Sequence, residues 1–186
     1  AAKRIGSTLA GSLGSNMGGD SFFADRAGRG ANVPKGEGAL IRMIVDADAC
    51  PVKEEIYSVA ARYGVAVTLV ANSRLHVPAR TRAEMVVVDG APDAADDWIA
   101  EHVARGDVVV TADIPLASRC LAAGARVLSS NGRVFTEDSI GGALAIRDLK
   151  QSLRDSGISS RGPSPISARD RSRFLSKLDE LISRGI

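Results

Sequence analysis

MIVDADACPVKEEIYSVAARYGVAVTLVA, residues 43–71, decides how the rest of the chain is read. Met43–Ala47 is a short apolar run that ends in acid, the pattern of a buried strand. Pro51–Tyr63 follows with helical spacing, Pro51 at its first position and Gly64 just past its end. Val65–Ala71 is a second β-rich apolar run. A strand, a helix and a strand in so few residues form a parallel βαβ unit, because antiparallel neighbours need only a tight turn.

The same alternation continues. Glu84–Val88, Asp107–Thr111 and Arg126–Ser129 read as further strands; Asp93–Arg105, Pro115–Ala123 and Asp138–Ser156 read as helices. Arg169–Arg184 closes the chain as an amphipathic helix, with Phe174, Leu175, Leu178, Leu181 and Ile182 on one stripe. The expected fold is therefore α/β, a mostly parallel five-stranded sheet with helices on both faces. Three segments are expected: a disordered N-terminal extension over 1–42, an α/β domain over 43–156, and a loop plus helix over 157–186 that packs on it. Residues 1–40 carry nine of the nineteen glycines and no sustained periodicity, too little apolar surface to offset the entropy of ordering.

No run approaches the ~20 apolar residues of a membrane span. Two cysteines, Cys50 and Cys120, are too few for a disulfide framework, and a cytoplasmic protein is expected. The formal charge of +2 conceals a segregation: +3 over residues 1–42, −5 over 43–146 and +4 over 147–186. An acidic middle between basic ends suits a carboxylate site beside a polyanion-binding surface, or simply solvated faces.

Ligands of open parallel sheets sit beyond the carboxyl ends of the strands. Asp46 and Asp48 fall at the end of the first strand, and Asp113 two residues past the fourth. Asp93, Asp96 and Asp97 open the second helix. Packed carboxylates repel one another unless a cation compensates, and a hard divalent ion, Mg²⁺ or Mn²⁺, is the expected cofactor. Such an ion activates water and stabilises a phosphodiester under attack. Asp93, Asp97 and Asp113 each admit a plainer reading as helix-start residues. Arg74, Arg80 and Arg82, in the loop after the second strand, and Arg119, one turn after Asp113, are candidates for contacting a phosphate backbone.

Asp46-Ala-Asp-Ala-Cys-Pro51, Asp93-Ala-Ala-Asp96-Asp-Trp-Ile99 and Gly106-Asp-Val-Val-Val-Thr-Ala-Asp-Ile-Pro-Leu-Ala117 resemble the YaiI/YqxD family of uncharacterised bacterial proteins. The resemblance covers roughly residues 43–186, including Gly162-Pro-Ser-Pro165 and Asp170-Arg-Ser-Arg-Phe174. That family is grouped with PIN-like domains, which implies a PIN-like three-layer fold. It also implies Asp46, Asp96 and Asp113 as catalytic metal acids, with Asp48 and Asp93 in support, and Asp97 as the alternative to Asp96. The implied activity is a metal-dependent ribonuclease-like phosphodiesterase with RNA, less readily DNA, as partner. Two alternatives stand beside it. One is a non-catalytic RNA-binding or ribosome-associated module. The other is a haloacid-dehalogenase-like phosphatase with Asp46 as nucleophile.

Overall fold

The computed structural model describes residues 41–48, 50–79, 81–157 and 165–185. Residues 1–40 of the expected N-terminal extension, Arg80 and most of the loop over 157–166 lie outside the described residues, whereas Arg42, assigned to that extension, begins the first strand. The elements run β1 (Arg42–Asp46), α1 (Lys53–Tyr63), β2 (Ala66–Ala71), β3 (Ala83–Val87), α2 (Ala94–His102), β4 (Val108–Val110), α3 (Ile114–Ala122), β5 (Arg126–Leu128), β6 (Val134–Phe135), α4 (Glu137–Asp155) and α5 (Ala168–Ser183). They form a six-stranded sheet in the order β3-β2-β1-β4-β5-β6, parallel except for the β5–β6 pair.

Side chains alternate between the faces of a strand, and here each face has its own core. Met43 and Val45 of β1, Val67 and Leu69 of β2 and Val108 and Val110 of β4 pack with α1 and α5, where Phe174, Leu178 and Ile182 are fully buried. Ile44, Val70, Val109 and Val127 point the other way, onto α2, α3 and the start of α4. The result is a three-layer α/β arrangement. Among the described residues no helix is long and apolar enough to cross a membrane.

Besides shifts of one to three residues at other element ends, two features differ from the sequence reading. The helix expected to start at Pro51 starts at Lys53, with Val52 at its N-cap and no side-chain cap. Its other end is as expected: Gly64 takes φ 68° and donates its N–H to the Ala60 carbonyl, a left-handed cap that favours glycine. The sixth strand, β6, is an addition to the expected five. It pairs antiparallel with β5 through a turn at Asn131-Gly132, where the Gly132 N–H donates to Ser129 and the Ser129 N–H to Arg133. Gly132 has φ 81°, and a Cβ there would lie 2.7 Å from the Phe174 backbone nitrogen of α5. The turn therefore needs glycine both for its conformation and for its close approach to α5.

The amino end of β4 is fastened by an ion pair. Asp107, only 5% exposed, accepts from Arg42 Nε at 3.1 Å and from an Arg42 terminal nitrogen at 2.6 Å. It also accepts from the Ala104 N–H at 2.9 Å. Arg126 of β5 holds α5 and the α2–β4 loop through the carbonyls of Leu181 and Gly106.

Candidate functional site

β1 and β4 are neighbours, with Val45 paired to Val110, so their carboxyl ends open side by side. The twofold alternation then sets the directions. Asp46 follows the parity of Ile44, and Thr111 that of Val109, so both face the α2–α3 layer. The Thr111 hydroxyl, buried at 2% exposure, donates to Asp46 Oδ2 at 3.0 Å and accepts from the Asp113 N–H at 3.0 Å. One hydroxyl thus ties the two strand ends together. Asp113 caps α3, its Oδ1 accepting from the Leu116 N–H at 2.8 Å. The capping reading of Asp113 is correct, and the cap bond uses Oδ1. Asp46 keeps Oδ1 outside the Thr111 bond.

The third acid comes from α2. Asp96 sits half-buried one turn before the core residue Ile99. Burial foremost, then the charges of Asp113, Asp46 and Asp93, push its carboxyl from an ordinary 3.8 up to about 6, against a weaker pull from Arg119. Asp46 is raised too, by burial first and by Asp48 and Asp113, with the Thr111 hydroxyl opposing. Asp96 feels the charges of Asp113 and Asp46, and Asp46 that of Asp113, so these carboxylates from three separate segments lie within electrostatic range of one another.

The other acids sort themselves by their partners. Asp97 accepts from Arg119 at 2.8 Å, both side chains lying in solvent; Asp96 is the α2 acid that faces the crevice. Asp93 holds the N-cap position of α2 but takes φ 61° and makes no side-chain cap bond. A non-glycine residue in that region is uncommon and costs on the order of 1 kcal/mol or more, so capping does not account for Asp93. Asp48 is exposed and accepts the Asn72 N–H at 3.0 and 3.2 Å, which pins the β2 end to the β1 turn.

The basic candidates separate. Arg119 is engaged by Asp97. Arg74 lines a cavity of about 610 Å³ with His76, Val77 and Met85 beside β3. The loop between β2 and β3 contains no helix among the described residues and runs back along the sheet edge, so Arg82 arrives at the amino end of β3. Its carbonyl accepts from Val67, several residues below the level of Asp46, which pairs with Val70. Arg82 therefore does not join the aspartates, and Arg80 lies outside the described residues.

The remaining polar groups are structural. Cys50 and Cys120 are buried, and burial pushes both thiols up, Cys120 to about 12, the opposite of a reactive cysteine. Trp98 packs partly buried on α2 and stacks on His102 at 4.0 Å between centroids. Thr111 stood out in the sequence only through the resemblance, as the Thr of a Thr-x-Asp pattern ending in Asp113, without a role of its own; the structure gives it one as the hydroxyl bonded to both Asp46 and the Asp113 N–H.

What could the crevice hold? Among the described residues no three His, Cys, Asp or Glu side chains already stand in metal-ligand geometry. A magnesium-type ion needs less, since it takes one or two carboxylates and keeps several waters. The spare oxygens of Asp46 and Asp113 supply two hard donors, and Asp96 completes the second layer. The donor set fits such an ion.

Sequence comparison gives relatives for most of the chain. A family model described as "Uncharacterized BCR, YaiI/YqxD family" matches residues 44–184. A UPF0178 protein of Rhodospirillum centenum is 55% identical over 148 residues, covering 77% of this chain and 96% of the relative. A UPF0178 protein of Rhodopseudomonas palustris is 56% identical over 146 residues, 78% of this chain and 92% of the relative. Another, from Azorhizobium caulinodans, is 56% identical over 144 residues, 77% and 91%. No solved structure matches the chain.

Proposed function

The chain belongs to the YaiI/YqxD family, and from that premise we propose that it is a metal-dependent, nuclease-like phosphodiesterase acting on RNA. The observation that carries the reading is the convergence of Asp46, Asp96 and Asp113, from β1, α2 and the β4–α3 turn, with Asp96 raised to about 6 by burial first and then by the charges of Asp113 and Asp46. Acids gathered at such an electrostatic cost are a mark of a functional site.

An Mg²⁺ or Mn²⁺ ion held there would supply positive charge against a phosphodiester and acidify a water. Asp46 and Asp113 are the residues that would hold it, each through the oxygen its hydrogen bond leaves spare. Thr111 fixes their spacing, because its hydroxyl bonds one carboxylate and the backbone of the other. Asp96 would orient the attacking water. Asp48, pinned to Asn72, and Asp93, uncapped and exposed, flank the set.

The phosphatase alternative loses support on two counts. Its later Gly-Asp acid belongs at a strand's carboxyl end, whereas Asp107 lies at the amino end of β4, bonded to Arg42. The Asp48 carboxylate, its expected acid/base, is committed to the Asn72 N–H. RNA binding without turnover is the second reading, favoured by the lack of a ready-made three-ligand group among the described residues.

The test is cleavage of labelled single-stranded RNA in Mn²⁺, Mg²⁺ and EDTA. Asparagine caps a helix about as well as aspartate, so Asp113→Asn keeps α3 intact while removing the charge. The expected result is Mn²⁺-dependent cleavage by wild type and none by Asp113→Asn at unchanged melting temperature. Equal cleavage by both would remove Asp113 from the chemistry.

A further inference from the structure

Outside the acidic crevice, the most unusual surface is on α4. This helix runs for 19 residues and buries only Ala143. Ile146, Leu149 and Leu153 stand in solvent at 55%, 60% and 39% exposure. Beside that stripe, Arg147, Lys150 and Arg154 recur at i, i+3 and i+7, which places them on one helical face. Asp148 and Asp155 fall about 100–130° round the helix from the middle of that face. Arg147, Lys150 and Arg154 join Arg133 from the turn before β6 to line a groove of about 190 Å³, floored by Ile114 and Ile146. The lining holds four cations and no acid.

Location and shape narrow the occupant. Ile114, which lines the groove, is the residue directly after Asp113 at the start of α3. The volume is below the ~300–1,000 Å³ of pockets that enclose a small molecule, and the groove is open, which suits a chain passing through. Arg147 to Arg154 span roughly 10 Å of helix axis, enough to follow consecutive phosphates of one strand. A duplex would keep its bases stacked inside; only an unpaired strand can lay a base on Ile114 and Ile146.

We propose that this groove is a track for single-stranded RNA, with phosphates on Arg133, Arg147, Lys150 and Arg154, leading the strand to the acidic crevice. The assignment rests on the phosphodiesterase reading for what happens at the end of the track, but binding is separable from cleavage. Arg154 donates to Gln151 Oε1 and Arg133 lies over the Phe135 ring at 5.2 Å from its centroid, contacts that leave both charges unneutralised. Arg147 has Asp148 at 3.6 Å with both groups in water, a pair worth little. Among the described residues Lys150 has no carboxylate in ion-pair range.

The experiment is fluorescence anisotropy of a labelled oligouridine of roughly 12 nucleotides, a length within the usual single-strand site range, in EDTA and at several salt concentrations. The proteins are wild type, the triple variant Arg147→Ala/Lys150→Ala/Arg154→Ala, Lys150→Ala alone, Asp148→Asn/Asp155→Asn, and Asp113→Asn. Each phosphate contact contributes about 0.7 to the log–log salt slope on single strands, so the triple variant loses about 2 in slope and about 100-fold in affinity near ~0.1 M salt. Lys150→Ala alone loses about 0.7 in slope, a readout that holds even should the triple variant melt early. The Asp148/Asp155 double variant binds more tightly, and Asp113→Asn binds at least as well as wild type. A wild-type slope in the triple variant overturns the track. So does tighter binding of DNA of the same sequence, or displacement of the RNA by a polyglutamate peptide, which would mark an acidic protein partner. Salt-dependent binding through these residues with no Mn²⁺-dependent cleavage overturns the phosphodiesterase reading and leaves the track. Cleavage with an unaltered triple-variant slope does the reverse.

Discussion

Replacing Asp96 with asparagine makes the protein more stable at alkaline pH in EDTA. Burial and the charges of Asp113, Asp46 and Asp93 push the Asp96 carboxyl up to about 6 from an ordinary 3.8. A group whose folded pKa is raised binds its proton more tightly in the native chain than in the unfolded one, so acid favours folding. The penalty is absent below about pH 4, grows as pH rises through about 6, and is complete above about pH 7. At about 1.4 kcal/mol per tenfold, the displacement sets an upper bound of about 3 kcal/mol. Asp96 remains partly in water, and solvent screening reduces this to on the order of 1–1.5 kcal/mol. For a chain of this size that is roughly 2–6 °C in melting temperature. The assay is thermal unfolding of wild type and Asp96→Asn at about pH 4 and about pH 8, without divalent ions. The variant is expected to melt higher at the alkaline pH and equally at the acid one. A lower melting temperature at alkaline pH, or the same gain at both, would refute the idea that these acids repel one another in one crevice.

Asp107→Ala strands Arg42 and the Ala104 N–H, and because Arg42 reaches water the loss is about 3 kcal/mol, at the lower edge of broken buried pairs; denaturant unfolding measures it, and a loss under about 1 kcal/mol would show the clasp to be idle. Gly132→Ala forces a Cβ at positive φ within 2.7 Å of the α5 backbone, costing about 3 kcal/mol from strain and overpacking together, whereas Gly141→Ala, which meets nothing within 4 Å, stabilises α4 by about 1 kcal/mol. Arg82→Ala leaves RNA affinity unchanged, since Arg82 enters at the far end of β3; a shallower salt slope in that variant would relocate the binding surface.

The alternation of strands and helices was readable because β1, β2 and β4 lie in the sheet interior and are apolar on both faces, which removes ambiguity about their burial. The hairpin strand β6 escaped notice. It is two residues long at the sheet edge, and its signal was the turn dipeptide Asn131-Gly132 rather than any periodicity. The acidic crevice was legible for the same reason as the fold: once β1 and β4 are adjacent and parallel, their carboxyl ends must open together. The directions of individual side chains were not. Whether Asp96 or Asp97 faces inward depends on a 100° step around α2, and Arg119 settles it by drawing Asp97 outward. Asp93 looked like an ordinary cap, yet its left-handed backbone turns the side chain away from that duty. The β2–β3 loop misled in another way, because proximity to the end of β2 was assumed for a connection that must return to the opposite end before a parallel β3 can begin.

The central claim is that Asp46 and Asp113 share one divalent ion with Asp96 beside them. Crystals soaked in Mn²⁺ and read by anomalous scattering test it most directly. One peak is expected between β1 and β4, about 2.0–2.2 Å from a carboxylate oxygen of each residue, as hard-cation ligation requires. A peak elsewhere, or none at Mn²⁺ concentrations that saturate ordinary carboxylate sites, would contradict it.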